Sequence, residues 1–521
     1  MTRIRILAAI TVILSAAPTV GAQERAARPL TLEEAIALAR PASEATGIAR
    51  AGVRRAEADV RRARSDLFPQ LTGSASYDRL IKSQFSALAG DGTGNGEPAP
   101  DRCDAFTPAP GQPIESRLGS LEESLRCLSR ANPFSDLGSL PFGRANTWRW
   151  GISASQTVFA GGRIVAGTRA ADAAQRSAEI AVNAADAQSI LDVVEAYADA
   201  ALASRLAAIA RAALDQADTT LAQTALRREV GTAPEFDLLR ASVARDNLRP
   251  QVIQAGAQEA ITTQRLRQLL DLPDGAPLTL VTDLEDTTLA GVPTLAALVA
   301  RAPDTAADLR STVRQADEAV RGQEALRQVA RGERLPALAV TSQYGRVAYP
   351  STGLPGWNEF YTNWNVAVGL QVPLFTGGRL RAGHDAARAS VDEAHLRRAQ
   401  AAKGAALDAR MALAQREAAA ATWAASTGTV AQAERAYSIA EVRYREGIST
   451  QTELLDARLA LQQAEATRAT AARDLIVSRV RLALLANLPL ATAGGTISSN
   501  QRTATQPRVA PPPASSSTGF P

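Results

Sequence analysis

A long stretch of this sequence occurs twice in the same chain. The pentapeptide at 159–163 (FAGGR) recurs at 375–379 (FTGGR), an offset of 216 residues. The same offset pairs Gly167 with Gly383, Asp192 with Asp408, Arg227 with Arg443, Gly231 with Gly447, and Leu272-Pro273 with Leu488-Pro489. Two unrelated alanine-rich helices would not share these glycine, proline and charged residues at one constant offset. The chain is therefore a duplication, and each copy is expected to form the same structural unit.

Each copy contains a stretch of about 67 residues without proline, at 163–229 and from 379 to about 446. Apolar residues within these stretches recur at steps of four and three, which is the period of a helix. A helix of this length extends about 100 Å and requires helical partners along its whole length. The sequence therefore predicts two long helices in a coiled-coil-like bundle. Gly231 and Gly447 are predicted to end them.

A shorter return helix is predicted after each glycine, ending at Leu272 or Leu488, where a proline follows. Its start is predicted to be capped at 232–235 in the first copy and at 450–453 in the second, since both have the pattern of a helix N-terminus. The first helix of the chain is predicted at 31–67, with a capping-box-like start and a break at Pro41.

Strands are predicted upstream of each long helix, because apolar and polar residues alternate there. Trp148, Trp150 and Ile152 fall on one face of the clearest strand, and Trp364 and Val366 follow the same pattern in the second copy. Each copy therefore predicts helix, strand, loop, strand, helix, turn, helix. The paired glycines at the corners from strand to long helix are predicted to be hinges rather than a phosphate-binding loop; they are Gly161, Gly162, Gly377 and Gly378.

Aromatic residues concentrate in the strand regions: nine of the 22 lie in 68–159 and seven in 344–375. The alternation by itself favours a soluble β-sandwich with a dry core. Aromatic belts, export and long attached helices together favour a transmembrane barrel with a wet lumen. Four strands cannot enclose a channel, and an open sheet edge is not tolerated in lipid. Several chains must then contribute strands, and three chains would supply twelve.

The N-terminus has the pattern of a secretory signal peptide. Arg3 and Arg5 precede an apolar run at 6–17, and Val20-Gly21-Ala22 offers a cleavage site before Gln23. The run is short for a membrane anchor, and no later stretch reaches the roughly 18 apolar residues of a spanning helix. No cysteine follows the site, so no N-terminal lipid anchor is expected. The sequence predicts an exported chain.

Composition excludes several classes of function. Two histidines and two cysteines leave little from which to build a zinc, haem or iron–sulfur site. The 57 basic and 53 acidic residues are interleaved, and no single-sign block suggests nucleic-acid binding. No catalytic arrangement of nucleophile and base, or of paired carboxylates, is evident. We therefore expect no enzyme activity, no metal and no cofactor.

The first copy carries 51 extra residues between its strands, rich in glycine and proline and without evident periodicity. This insert is predicted to be a long external loop. Cys103 and Cys127 lie within it; a disulfide is expected in an exported protein, and two free thiols are the alternative. The predicted organisation is signal peptide 1–22, N-terminal segment and helix 23–67, hairpin 68–160 with its loop at about 80–145, helical hairpin 161–272, linker and helix 273–335, hairpin 336–376, helical hairpin 377–488, and disordered tail 489–521.

The combined motifs resemble the TolC-like outer-membrane factor family over nearly the whole mature chain. They are the duplicated halves, the LxLxxA-type start at 30–35, the FPxL helix stop at 68–71, the QVPLF segment at 371–375 before Gly-Gly-Arg, and the YREG turn at 444–447. The resemblance implies a homotrimer, with a twelve-strand barrel in outer-membrane lipid and a twelve-helix periplasmic tunnel. It also implies docking to a periplasmic adaptor protein and to an inner-membrane pump.

The resemblance also implies roles for residues near the turns. Val230, Gly231 and Thr232, with Gly447 and Ile448 in the second copy, would form the adaptor-docking turns. Glu453 and Asp456 would form an acidic pore constriction, although a helix cap is the simpler explanation for Glu453. Tyr444 and Asp237 match the positions that hold the entrance shut. Ser449 replaces an arginine of the family, so this lock is expected to be weaker or differently connected.

The resulting functional hypothesis is a passive exit duct of a tripartite efflux system that exports drugs or other small molecules. A channel of type I protein secretion is the alternative within the family. An exported coiled-coil stalk or adaptor is the alternative from another class.

Overall fold

The computed structural model describes residues 28–81, 103, 106–107, 110–130, 145–273, 278–286, 289, 291–350 and 353–490. The predicted signal peptide, most of the predicted external loop and nearly all of the predicted tail lie outside the described residues. The helices are α1 (Leu32–Ala42), α2 (Glu44–Ser65), α3 (Ile114–Arg130), α4 (Arg163–Glu229), α5 (Glu235–Leu269), α6 (Pro293–Val299), α7 (Ser311–Gly332), α8 (Arg379–Arg445) and α9 (Gln451–Leu484). The strands are β1 (Arg28–Leu30), β2 (Gln70–Arg79), β3 (Asn146–Ala160), β4 (Leu278–Leu280), β5 (Ala337–Ala348) and β6 (Tyr361–Gln371).

The predicted mainly helical fold is confirmed. Helices α4 and α8 have 67 residues each and cover the two proline-free stretches. The N-terminal helix is interrupted as predicted: α1 ends at Ala42, and α2 begins at Glu44. Thr31 caps α1, since its Oγ1 accepts a hydrogen bond from the Glu34 N–H at 3.1 Å.

The return helices are shorter than predicted: α5 ends at Leu269 and α9 at Leu484, before the prolines. In α5 the cause is a left-handed residue, Asp271, at φ 49°. The N–H groups of Asp271 and Leu272 donate to the carbonyls of Gln268 and Arg267, which closes the last turn of the helix. The helix therefore stops without help from the proline.

The expectation that the insert lacks periodicity is wrong for part of it. Residues 114–130 form α3, a helix of 17 residues. Serines and a glycine within it resemble loop composition and hide its apolar stripe. The short pair β1–β4 was also missed, because three-residue strands are too short to show a period of two.

The described residues divide into two units. One comprises residues up to 52, 177–317 and from 396 onward; the other comprises 53–176 and 318–395. The first unit is a helical bundle with a small parallel sheet. Its core takes Leu30 from β1, Tyr197 from α4, Leu266 from α5 and Ile476 from α9, each at most 1% exposed.

Tyr197 ties the small sheet to the bundle. Strand β1 pairs with β4 in parallel, residue 28 opposite 278. The Tyr197 hydroxyl donates to the Leu30 carbonyl at 2.9 Å and accepts from the Thr282 N–H at 3.1 Å. Burial of the Tyr197 hydroxyl costs little free energy because the hydroxyl both donates and accepts a hydrogen bond. These two bonds hold Leu30 and Thr282 in place against α4.

The second unit contains a four-stranded antiparallel sheet in the order β2-β3-β5-β6. The central pair, β3 with β5, joins the two sequence copies, with Ile152 opposite Tyr344. The outer strands, β2 and β6, come from different copies. One register shift lies between Thr157 and Phe159, at the end of β3 that leads to the long helix.

Candidate functional site

One face of the four-stranded sheet is apolar and exposed. Strand β6 presents Trp364, Val366, Val368 and Leu370 on this face, and all four are between 64% and 71% exposed. Opposite them on β5 lie Tyr344, Ser342, Val340 and Leu338, respectively. Burial of such side chains stabilises a fold by about 1.5–3 kcal/mol each. A contiguous exposed apolar face therefore indicates contact with lipid or with another protein.

The opposite face is small and polar. Thr72 and Ser153 bond across the strands, with 2.6 Å between their hydroxyl oxygens, and Arg149 pairs with Asp78 at 3.2 Å. Glycine or alanine occupies several remaining positions, including Gly151. This pairing of an apolar and a polar face is the pattern of a strand between lipid and water. The polar face is a candidate channel lining.

Among the strands that the structure describes, each outer strand of this sheet has one unpaired edge. Every residue of β2 and of β6 is exposed, and each strand pairs with one neighbour only. The strands have 10 and 11 residues, long enough to cross a bilayer when tilted. Two long open edges present a template on which further strands pair.

Four aromatic side chains of β2, β3 and β5 lie toward the same end of the paired strands. The rings of Tyr77 and Trp148 lie 4.6 Å apart, and those of Trp150 and Tyr344 lie 6.1 Å apart. The indole N–H of Trp148 donates to the Gly353 carbonyl at 2.9 Å. Rings with an apolar body and a satisfied polar tip are typical of membrane interfaces.

The predicted hinge glycines stand in the left-handed region. Gly161, Gly162, Gly377 and Gly378 have φ values of 61°, 79°, 59° and 84°. A larger residue at 161 is also excluded sterically, because a Cβ there would clash with the carbonyl oxygen of Gly332 and lie 2.8 Å from Leu335 Cβ. The chain turns from strand to long helix at these residues, and no phosphate-binding role is needed to explain them.

The two turns that end the long helices have the same hydrogen bonds. Thr232 N–H donates to the Arg227 carbonyl and Gly231 N–H to the Arg228 carbonyl, at 2.8 and 3.0 Å. In the second copy Ile448 N–H donates to the Arg443 carbonyl and Gly447 N–H to the Tyr444 carbonyl, at 2.8 and 3.1 Å. This is the Schellman motif, and the glycines have φ values of 79° and 74°.

A set of contacts missed at the sequence level joins the two turns. The Arg227 guanidinium at the end of α4 donates to the carbonyls of Tyr444 and Arg445, at 3.2 and 2.8 Å. It also lies over the Tyr444 ring, 5.1 Å from its centroid. Thr224 Oγ1 lies 3.2 Å from the Tyr444 hydroxyl. Arg227 thus satisfies the Arg445 carbonyl at the end of α8 and gives the Tyr444 carbonyl, which also accepts from the Gly447 N–H, a second hydrogen bond.

The predicted lock residues occupy different environments. Tyr444 is 8% exposed, while Asp237 is partly exposed in the first turn of α5. Within the described part of the chain, Tyr444 bonds to Thr224 and no hydrogen bond joins it to Asp237. The lock between Tyr444 and Asp237 therefore stays a prediction. The sequence gives no signal for the contact of Arg227 with Tyr444, because this contact depends on how α4 and α8 pack against each other.

The predicted caps of the return helices differ between the copies. Thr450 caps α9 as predicted, because its Oγ1 accepts from the Glu453 N–H at 3.4 Å. The start of α5 falls within the predicted segment 232–235, where Pro234 is the N-cap residue, but no side-chain hydrogen bond caps this helix. The Thr232 hydroxyl instead donates to the Arg227 carbonyl at 3.0 Å, so it serves the preceding helix.

Glu453 and Asp456 lie three residues apart in the first turns of α9, and both are exposed. Neither carboxylate has an ion-pair partner among the residues that the structure describes. Two solvated carboxylates without ion-pair partners on one helix face attract cations from the surrounding water.

Polar groups are buried behind this face. Gln451 is 4% exposed and Arg458 6% exposed, and both carry side-chain nitrogens without a hydrogen-bond partner in the described structure. Burial raises the pKa of the Tyr437 phenol, against the opposing charge of Arg458. The sequence pattern does not indicate that Gln451 and Arg458 are buried, because polar residues in helices normally face water.

Cys103 and Cys127 form a disulfide, and Cys127 lies in α3. Within the described ranges, no three metal-ligating side chains lie close enough to hold a metal ion. Of the helices that the structure describes, none has a stretch both long and apolar enough to cross a bilayer.

The chain is similar to known outer-membrane proteins. The solvent efflux pump outer membrane protein SrpC and the toluene efflux pump outer membrane protein TtgI, both of Pseudomonas putida, are each 29% identical over 229 residues. That region is 43% of this chain and 44% of each relative, so the chain matches less than half of their length.

Solved structures share the fold over most of the chain. The Campylobacter jejuni CmeC outer membrane channel has a TM-score of 0.67 at 18% identity, covering 88% of this chain and 86% of CmeC. The open state of the Neisseria gonorrhoeae MtrE outer membrane channel has a TM-score of 0.66 at 18% identity, covering 88% and 89%. The family model for outer membrane efflux proteins matches residues 129–271 and 302–488, more than half of the chain. The chain therefore belongs to the outer membrane efflux protein family, and its location is the outer membrane.

Proposed function

We propose that three copies of this chain form an outer-membrane channel, the passive exit duct of a tripartite efflux system for small molecules. The observation that carries this proposal is the four-stranded sheet, with one exposed apolar face, one polar face and two open edges. A sheet of this kind is stable in lipid only when its edges are paired. Pairing β6 of each chain with β2 of the next would close twelve strands around a polar lumen.

The long helices support a tunnel built from the same three chains. Each chain supplies two helical hairpins, α4 with α5 and α8 with α9, and three chains would supply twelve helices. Several alanines of α4, among them Ala196, Ala200 and Ala207, are at most 2% exposed, and small side chains allow close packing of helices. The turns after α4 and α8 would dock the periplasmic adaptor, which links the duct to an inner-membrane pump.

The names of two relatives support the proposed chemical class of cargo. Two of them are named as outer-membrane proteins of solvent and toluene efflux pumps, which favours small apolar molecules over secreted proteins. The duct itself needs no energy source, and transport would be driven by the inner-membrane pump.

Planar-bilayer recording of the detergent-extracted protein tests the channel, and gel electrophoresis with and without heating tests the trimer. We expect stepwise conductance and a heat-labile trimer band. A water-soluble monomer without conductance would contradict the proposal and favour an exported stalk. In the native host, deletion of the gene that encodes this chain should increase the accumulation of toluene in the cells. An unchanged accumulation together with loss of a secreted protein would indicate type I secretion instead.

A further inference from the structure

Helix α3 carries a narrow stripe of large apolar side chains that the proposed channel does not use. Five of its residues step by four, three, four and three along the helix, and each is between 37% and 67% exposed. They are Ile114, Leu118, Leu121, Leu125 and Leu128. This spacing is the 3.5-residue period of a coiled coil rather than the wider face of a helix packed on a globular core.

The composition of α3 is poor for a helix that stands alone. Its 17 residues include Gly119 and four serines, and isolated helices of this length are marginal even with better sequences. The disulfide from Cys127 to Cys103 ties the helix to the preceding chain but covers none of the stripe. Helices of this kind are normally stabilised by burying their apolar side against a partner.

Charges beside the stripe indicate what covers it. With Leu118 and Leu125 at the a positions, Arg117 occupies a g position and Glu122 the following e position. In a parallel coiled coil, g of one helix meets e of the next helix five residues on. Arg117 and Glu122 are five residues apart, so parallel copies of α3 would pair opposite charges. Within one copy, Glu122 lies 4.0 Å from Arg126 in an exposed pair, which leaves it free to exchange partners at little cost.

A lipid surface is a poorer match for this helix. Helices that lie on membranes carry an excess of lysine and arginine on the polar face. In α3 the three acidic residues balance the three basic ones. The apolar stripe is also one residue wide at each turn.

We propose that α3 helices from three chains associate through this stripe as a short parallel coiled coil around the rotation axis of the trimer. This inference rests on the proposed trimer, since helices that run along a threefold rotation axis can associate around it only in parallel. The stripe is then an interface between copies of this chain, and the insert is a third point of attachment between them, in addition to the strands and the long helices.

A cysteine at the centre of the stripe tests the interface. The chain has two cysteines, and they are bonded to each other, so an introduced cysteine is the one reactive thiol. In detergent-extracted trimers, Leu121→Cys should give covalent dimers with a short bis-maleimide, at least tenfold more than the matched variant Glu123→Cys at an f position. Equal yields from the two variants in intact trimers would overturn the proposal.

A charge exchange in the Leu121→Cys background tests the orientation. Arg117→Glu should lower the cross-linking yield several-fold by facing Glu122 of the neighbour with a like charge. Adding Glu122→Arg should restore the yield; absence of both effects would contradict the parallel pairing. Trimer size is measured in every sample by light scattering. A monomeric wild type would refute the proposed channel, whereas a trimer without Leu121 cross-links would refute the coiled coil alone.

Discussion

Arg310, the residue before α7, is fully buried, and among the described residues the carboxylate of Asp408 compensates its charge. Its Nη2 lies 2.6 Å from Asp408 Oδ2, while its Nε and Nη1 have no hydrogen-bond partner in the described structure. Asp408 also lies 3.6 Å from the more exposed Arg481. Breaking a buried pair by removing one partner is far more costly than the pair's net contribution, because an uncompensated charge remains inside.

We therefore expect Asp408→Ala to destabilise the protein by about 3–5 kcal/mol. The repeat offers a matched control, since Asp192 is the equivalent of Asp408 and accepts a hydrogen bond from Gln188 at 2.7 Å. Asp192→Ala should cost about 1 kcal/mol. Urea unfolding of the detergent-solubilised variants compares the two, and equal losses would contradict this account of Arg310.

The sequence predicts the role of single residues correctly where backbone geometry determines which residue type can occupy a position. The glycines at 161, 231 and 447 are required by left-handed turns, and such turns leave a pattern in the sequence. The contacts of Arg227 and Thr224 with Tyr444 depend on the rotation of one long helix against another. The sequence of either helix alone contains no record of that rotation, so these residues were missed.

Elements were predictable in proportion to their length. Helices α4 and α8 were defined by the absence of proline, a sustained helical period and a terminal glycine. Strands β1 and β4 pair over 250 residues of sequence separation and are too short to show any period. Helix α3 was hidden by its serines and glycine, although its apolar residues follow the coiled-coil period throughout.

At the turns, we expect Gly447→Val to strain the left-handed residue by about 1–2 kcal/mol or more. The local hydrogen bonds at Arg443 and Tyr444 would shift, so adaptor docking and transport should fall while trimers still assemble. Gly428→Val, in the interior of α8 with open space around it, is the control and should leave transport unchanged. Transport is measured as dye efflux. Cross-linkers placed at Ile448 that capture no adaptor would contradict the docking role.

Removal of the insert, about residues 85–140, should leave trimers and efflux intact. The deletion takes both cysteines together, so no free thiol remains, and it leaves β2 and β3 paired at their described registers. The proposed coiled coil of α3 would be lost, but the strands and long helices would still join the chains. Heat-labile trimers and dye efflux are the measurements, and failure of outer-membrane assembly would contradict the prediction.

For the molecule as a whole, adjacent residues on opposite faces of β6 distinguish a membrane-embedded sheet from a soluble one. Val368 lies on the apolar face, and Ala367 beside it lies on the polar face opposite Thr341. Val368→Arg should cost about 2–4 kcal/mol near the bilayer midplane and reduce outer-membrane assembly. Ala367→Arg should assemble normally and lower conductance. Equal assembly of the two variants would indicate that neither face contacts lipid.

The number of chains is the part of the fold that the sequence could not predict from its own pattern. The described part of one chain supplies four strands to the larger sheet and leaves two of its edges open, which requires partner chains without determining how many. Trimer geometry also multiplies every charged position by three. A carboxylate with little effect in one chain becomes significant when its copies converge on one axis.

Variants at Glu453 and Asp456 test whether these carboxylates converge on the axis of the trimer. In a trimer their six carboxylates would form one acidic ring, which attracts cations and repels anions. The double variant Glu453→Ala, Asp456→Ala should weaken cation selectivity and block by multivalent cations, with little loss of trimer stability. Because the Thr450 hydroxyl, not the Glu453 carboxylate, makes the observed cap of α9, Thr450→Ala is the matched control. It should cost about 0.5–2 kcal/mol of stability and leave selectivity unchanged. Reversal potentials in planar bilayers under a salt gradient measure the difference. Identical potentials for the wild type and the double variant would show that these carboxylates do not line a constriction.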